Sequence, residues 1–417
     1  MTRRRAIQAA AGFVGLARTA ATQIGGNAPA PVDAVRQAFE SAFTVLDQHL
    51  TELLGKMRPD YGNGLHIWAS GNYLALWPDD FLYPLMVRPS FMKPEELTRL
   101  SGFLADSILD LGALPDRVES SCLPVMNPGP TTGTPHGHTM PLQLPAAWTR
   151  LLDYFRMLGA TLDRKDEWAA AISRGFDQVP FSCGLAYVNP QSPSVGYGFH
   201  DTEAITGFEL MSSLILYRGL QRAAMLFDGA IDPRVVGRWN RLADGVKANL
   251  YRLYDPQQGA FLAGSVDCRQ VNMWANGLAY WLVDEQVQKS IAHWFFQHRD
   301  QIFMSGYTRQ IAESDGWQRH IFGGGGGAIK DHGGRYVNGG FWSTGTGYVL
   351  PVLARHYPGL AVELVQKLVE NLPKDKFAES RYGDGTGATN PLFITGVAFP
   401  MIGLRSVLDR RPLIDFF

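Results

Sequence analysis

Candidate helices along this chain are joined by links that alternate strictly between short and long, and few folds accommodate that pattern. Helical periodicity and helix-start signals place the candidates near 34–57, 77–88, 94–111, 141–158, 163–176, 201–227, 232–253, 270–283, 285–299, 341–356, 359–371 and 394–409. Leu97, Leu100, Leu104, Ile108 and Leu111 form one apolar stripe. Val235, Trp239, Leu242, Val246 and Leu250 form another, behind an Asp232-Pro233 start in which aspartate caps and proline takes the first turn. Leu210 to Leu216 and Tyr348 to Leu353 are apolar nearly all round, as in helices buried on most sides.

The short links fall at 89–93, 159–162, 228–231, near 284 and at 357–358. The long ones fall at 58–76, 112–140, 177–200, 254–269, 300–340 and 372–393. Short links make antiparallel helical hairpins. Alternation then puts every short link on one face of the molecule and every long loop on the other. Twelve helices in six hairpins close into a double ring, with the all-round apolar helices inside and the striped ones outside. The expected fold is all-α: an (α/α)6 toroid in which residues 31–417 form one domain and the long loops wall a cleft. An irregular helical bundle is the plainer alternative. A repeat array is disfavoured because the loops have no fixed period.

Composition excludes several partners. With 417 residues, 46% hydrophobic and only 18% charged, the chain can bury a large core. Lysine plus arginine (38) nearly balances aspartate plus glutamate (39), so no nucleic acid or anionic membrane is expected as a partner. Thr2-Arg3-Arg4-Arg5 precedes a small, apolar run from Ala9 to Ala17, which reads as a Tat-type export signal and linker over residues 1–30. That reading expects a periplasmic or secreted protein; a cytosolic chain with a basic arm is the alternative. Cys122, Cys183 and Cys268 make no disulfide framework and no zinc spacing, and His136-Gly137-His138 lacks an evident third ligand. No metal or cofactor is expected. The run Gly323 to Gly327 lacks the frame of a phosphate loop and reads as a flap beside the cleft.

Each long loop delivers polar groups to the start of an inner helix, where the helix dipole favours anions. The entries contain, in order, Trp77-Pro78-Asp79-Asp80; His136-Gly137-His138; Tyr197-Gly198-Phe199-His200-Asp201-Thr202-Glu203; Asp267-Cys268-Arg269-Gln270; Lys330 to Trp342; and Phe377-Ala378-Glu379-Ser380-Arg381. Any single acid there serves equally well as a helix cap, and Asp201 or Asp79 fits that role. Recurrence on one face beside glycine and aromatic residues points instead to a site. Asp79 and Asp80 are adjacent, so at most one is expected to face the cleft.

Tyr336-Val337-Asn338-Gly339-Gly340-Phe341-Trp342 resembles the Y-x-N-G-G-x-W stretch of the six-hairpin glycosidases, the group of glucoamylases, trehalases and mannosylglycerate hydrolases. Glu379, followed by a glycine-rich loop and an apolar last helix, is also similar. The resemblance implies a general acid on the loop entering the sixth helix and a base on the loop entering the twelfth. The matching positions are Asp201, with Glu203 as substitute, and Glu379. It further implies an often inverting, water-mediated displacement, with an acidic residue of the first hairpin on sugar hydroxyls. Tyr197, Phe199 and Ile205 would raise the pKa of Asp201, and water access around Glu379 would leave it ionised. A dipole acting on Asp201 at a helix start would work against that rise. Expected substrate-binding residues are Asp80, Asp79, Trp77, Trp68, His138, Tyr197, His200, Trp274, Arg335, Tyr336, Asn338 and Trp342, with Trp317 a further subsite candidate.

The expected function is thus glycoside hydrolysis of a carbohydrate substrate by paired carboxylates. A polysaccharide lyase on the same toroid is the first alternative, using His200 or His332 with Tyr336 as proton abstractor and Arg335 and Arg381 against a uronic carboxylate. A sugar epimerase and a non-catalytic carbohydrate-binding protein are the others.

Overall fold

The computed structural model describes residues 32–56, 75–119, 123–126, 142–312, 317 and 336–417. Among the described residues, twelve helices carry the fold: α1 (Val32–Lys56), α2 (Pro78–Val87), α3 (Pro94–Ile108), α4 (Leu144–Met157), α5 (Lys165–Gln178), α6 (Leu210–Leu226), α7 (Pro233–Asn249), α8 (Met273–Ala279), α9 (Glu285–Gln297), α10 (Ser343–His356), α11 (Pro358–Asn371) and α12 (Thr395–Leu408). Arg299–Ile302 adds one further turn. No described helix is long and apolar enough to cross a membrane.

The packing closes two rings. Helix α2 packs on α4, α4 on α6, α6 on α8, α8 on α10, α10 on α12, and α12 back on α2. The odd-numbered helices lie outside: α3 and α5 on α4, α7 on α6, α9 and α11 on α10. The sixth hairpin joins the two ends of the described chain, because α1 packs on α11 and α12. This is the expected toroid.

Local sequence explains the split. All of α2 and α8, and Ser343 to Leu353 of α10, are buried, so these helices have no solvent face. By contrast α3 buries the single stripe Leu97, Leu100, Leu104 and Ile108, and α7 buries Trp239, Ala243 and Val246. Each large apolar side chain removed from water contributes about 1.5–3 kcal/mol. The ring is tight where α10 crosses α12: a Cβ on Gly403 would sit 2.6 Å from the Gly347 carbonyl oxygen. Outer helices start where the sequence signals them. Asp232 accepts from the Arg234 amide at 2.8 Å, and Asp284 from Gln286 and Val287 at 3.0 and 3.1 Å.

Two inner helices begin later than expected. Helix α6 starts at Leu210 rather than near residue 201, because Gly207–Phe208 pairs with Leu185–Val188 and Glu209 bridges Gly264. Glu209 is the actual cap, accepting from the Met211 and Ser212 amides at 3.1 and 2.6 Å. Likewise α8 starts at Met273, after Val271 pairs with Leu262. Strands of two to four residues decorate the long-loop face. The largest sheet orders Ala388–Thr389, Ser380–Arg381, Phe341–Trp342, Tyr307–Thr308 and Phe303–Met304 side by side.

Candidate active site

The loops entering α6 and α12 meet over the ring. Phe199 stands edge-on to Trp342 at 6.2 Å and to Phe393 at 6.5 Å. Trp342 pairs in register with Ser380, the residue after Glu379. Asp201 and Glu379 therefore project from loops on one face, joined through Phe199 and Trp342.

Asp201 lies beyond a 3-10 turn over Gly198–His200, nine residues before α6, so no helix dipole acts on it as a first-turn residue. The residue is half-buried, but its Oδ1 is sealed from solvent without a hydrogen-bond partner. Burial pushes its carboxyl up to about 7, and the neighbouring charges of Asp116 and Glu203 add to the rise. A hydrogen bond from Tyr336 opposes it. Glu203 is buried more deeply, its Oε1 accepting from the Thr202 hydroxyl at 3.0 Å.

Glu379 departs from its expected setting. It is buried, 3% exposed, not open to water. The ladder on Ser380–Arg381 pulls it down, its amide donates to the Thr389 and Asn390 carbonyls, and the Asn390 amide donates to its Oε2. The surrounding backbone is strained. Lys376, Phe377, Asn390 and Leu392 have φ of 55°, 57°, 39° and 61°, the left-handed region that side chains resist. Tyr336, at 44°, shares that conformation.

The first hairpin supplies two buried aspartates with different partners. Asp79 forms an ion pair with Arg150 on α4, so it serves the scaffold. Asp80 accepts from the hydroxyl of Thr395, the first residue of α12, and burial pushes its carboxyl up to about 7. Beside them stands Asp116, which the sequence reading passes over. Its Oδ2 accepts from Trp77 Nε1 and from an Arg117 guanidinium nitrogen, both at 3.0 Å, and burial raises its carboxyl.

Several expected contact residues belong to the scaffold. The Tyr197 hydroxyl lies 2.8 Å from that of Tyr348, and Trp274 stacks on Tyr348 at 5.5 Å, all within the ring. Trp342 is wholly buried, donating from Nε1 to the Tyr336 carbonyl at 3.0 Å. Asn338 uses Oδ1 to accept the Trp317 amide at 2.7 Å, holding a loop, and the Trp317 ring is itself buried. His200 is 1% exposed, and burial pushes its pKa down to about 3. Asn272 Oδ1 accepts from the Ala275 amide, so its Nδ2 donates to His200 Nε2 at 3.1 Å and the imidazole proton sits on Nδ1. Trp68, His138, Arg335 and His332, the five-glycine run and the expected export segment lie outside the described residues.

No protein-family model matches this chain, and no curated protein sequence does. Solved structures do match. The chain is similar to the GH63 mannosylglycerate hydrolase from Thermus thermophilus in complex with glucose: 15% identity, 85% of this chain and 99% of that one covered, TM-score 0.57. It is similar to a bacterial glucoamylase complexed with acarbose, at 12% identity, 91% and 56% coverage and TM-score 0.57. It is also similar to the rhamnosidase from Klebsiella oxytoca with rhamnose bound, at 13% identity, 88% and 64% coverage and TM-score 0.56. At these identities the likeness establishes the architecture: this chain has the six-hairpin glycosidase fold, an (α/α)6 toroid.

Proposed function

We propose that the chain is a glycoside hydrolase acting on an oligo- or polysaccharide, with Asp201 as general acid and Glu379 as general base. The observation that carries this reading is the carboxyl of Asp201, which burial keeps protonated up to about pH 7, on a loop joined through Trp342 to that of Glu379. An acid must hold its proton at the working pH and still release it in the transition state. Asp201 gives its proton to the glycosidic oxygen as the C1–O bond breaks. Water attacks C1 from the opposite ring face and passes a proton to Glu379. The product is inverted, which calls for carboxylates roughly 6.5–9.5 Å apart. Glu203 is the substitute acid. Asp80, next to the Thr395 hydroxyl at the ring mouth, is the proposed contact for sugar hydroxyls.

A lyase reading using His200 is disfavoured. A ring whose pKa burial lowers to about 3 is a weak base, and its Nε2 is occupied by Asn272. The deciding experiment incubates the purified chain with a panel of neutral and uronic glycans and weighs the products. Hydrolysis adds one water across the cleaved bond. Unsaturated products without that water would instead support a lyase, and binding without any product a carbohydrate-binding protein.

A further inference from the structure

We infer that Asn390 is a positioning residue of this site, which grips the Glu379 carboxylate with its side-chain amide and fixes where it points. The inference rests on the proposed role of Glu379 as the base, but the first part of its test does not require activity.

Strand pairing sets the two residues face to face. Ser380 lies opposite Thr389 and Arg381 opposite Ala388, so the register carried one step further sets Glu379 against Asn390. The hairpin beyond them is closed by its own bonds: the Tyr382 amide donates to the Gly387 carbonyl and the Gly385 amide to the Tyr382 carbonyl, at 2.8 and 2.9 Å. The hydroxyls of Ser380 and Thr389 lie 2.8 Å apart. On the other side the Phe393 amide donates to the Phe377 carbonyl at 2.8 Å. Between these anchors the ladder gives way. The Glu379 amide donates to both the Thr389 and the Asn390 carbonyls, at 3.1 and 3.0 Å, so two residues face one, as in the bulges that re-aim a side chain.

Asn390 meets two demands there. Its φ of 39° lies in the left-handed region, which glycine, asparagine and aspartate enter at least cost. Its side chain also reaches across the pair, and Nδ2 donates to Glu379 Oε2 at 2.5 Å. An ionised carboxylate only accepts, so the amide presents its nitrogen. Glu379 is 3% exposed, and a carboxylate at that depth stays ionised only where donors replace water. Asn390 thus holds Glu379 twice, by carbonyl on amide and by amide on carboxylate. Glycine would satisfy the backbone without the donor; aspartate would satisfy it with a second negative charge.

The charged groups on the described elements around Glu379 have other partners or stand further off. Arg381 pairs with Asp375 at 3.4 Å and lies over the Tyr307 ring, and Lys376 is exposed. Strands Phe341–Trp342 and Ala388–Thr389 carry no charged side chain. Asp201 lies across the Phe199–Trp342 contact.

The full chain, labelled with carbon-13 at the glutamate side-chain carboxyl, is titrated by NMR, with the Glu379 resonance assigned by its disappearance in Glu379→Gln. Asn390→Gly keeps the backbone and deletes the donor, so it should raise the Glu379 midpoint by about one pH unit, a tenfold fall in the ionised fraction below it. Asn390→Asp puts a like charge in the same place and should raise it further. A folded Gly variant with an unchanged midpoint, or an Asp variant with a midpoint no higher than wild type, overturns the inference. On a confirmed glycan, the acid limb of kcat/KM should move up with the NMR midpoint while KM stays nearly constant. Midpoints that move as expected while the acid limb stays in place, or in a chain that hydrolyses no glycan, sustain the hold on Glu379 and refute its role as base instead.

Discussion

The ring of Phe199 stands edge-on to the indole of Trp342 at 6.2 Å, and this contact couples the loop of Asp201 to the loop of Glu379. Trp342 also donates to the carbonyl of Tyr336, whose side chain hydrogen-bonds Asp201. One indole therefore sets both walls. Trp342→Phe keeps the ring contact and deletes one of two donors to the Tyr336 carbonyl, leaving only the Gly340 amide at 2.9 Å, at a cost of about 0.5–1.5 kcal/mol. Tyr336, held then by the Gly340 amide alone, should loosen its grip on Asp201. That hydrogen bond holds the acid's pKa down, so the basic limb of the rate profile should move to higher pH. Turnover on a confirmed substrate should fall about ten- to a hundredfold. A profile unchanged in position and height would show that the tryptophan only fills space.

The architecture is legible in the sequence because link lengths are a property of the whole ring. Each short link forces an antiparallel neighbour, and five short links alternating with six long ones leave little choice. Helix starts are legible where the cap is local, as at Asp232 and Asp284. They are misread at α6 because the acidic run from Asp201 reads as a helix start, whereas Gly207 to Glu209 are claimed by pairing with Leu185–Val188 and Gly264, segments distant in the chain. The same limit hides Asp116. A lone aspartate in a long link carries no periodic signal, and its partner Trp77 lies 39 residues away. Trp274 and Tyr197 show the converse. Their aromatic character is plain, but sequence does not say whether a ring faces sugar or Tyr348.

Stability should depend on pH through the site. Asp80, Asp201 and Glu209 all have folded-state pKa values raised to about 7 from the ordinary carboxylate range near 4. Each favours the fold fully below its unfolded pKa, and that contribution is lost as pH rises to about 7. His200, pushed down to about 3, acts in the opposite sense: its contribution is present above 6.5 and lost as pH falls. Comparing Asp201→Asn with wild type cancels the histidine. The neutral isostere should melt higher than wild type at pH 8, by the order of a few kcal/mol, and equally at pH 4. Thermal unfolding at both pH values checks it, and a variant less stable at pH 8 would contradict the raised pKa.

The ion pair of Asp79 with Arg150 is buried between α2 and α4, and the Arg150 guanidinium also lies 4.6 Å from the ring centre of Phe417. Asp79→Asn leaves a buried cation without its counter-charge, which should cost about 3–5 kcal/mol. Replacing both partners, as in Asp79→Leu with Arg150→Met, should cost much less. Denaturant unfolding of the three variants separates the outcomes. A double variant as unstable as the single one would mean that packing, not charge, dominates there.

The leaving group separates the two proposed catalytic roles. Asp201→Asn removes the proton donor, so it should lose at least about a hundredfold on a natural glycoside and far less on an activated aryl glycoside, whose leaving group needs no proton. Glu379→Gln should lose a similar factor on both, because water must be activated whatever departs. Its amide leaves Asn390 without a carboxylate acceptor, so a melting curve should accompany the kinetics to show that the loop still holds. Product of inverted anomeric configuration, read by proton NMR in the first minutes, belongs to the single displacement. Retained configuration would keep the hydrolase reading and give Glu379 a nucleophile's role, which requires carboxylates only about 5–5.5 Å apart. Near-normal turnover by both variants would mean that neither carboxylate is catalytic, and Glu203 with Asp80 would be the next pair to replace.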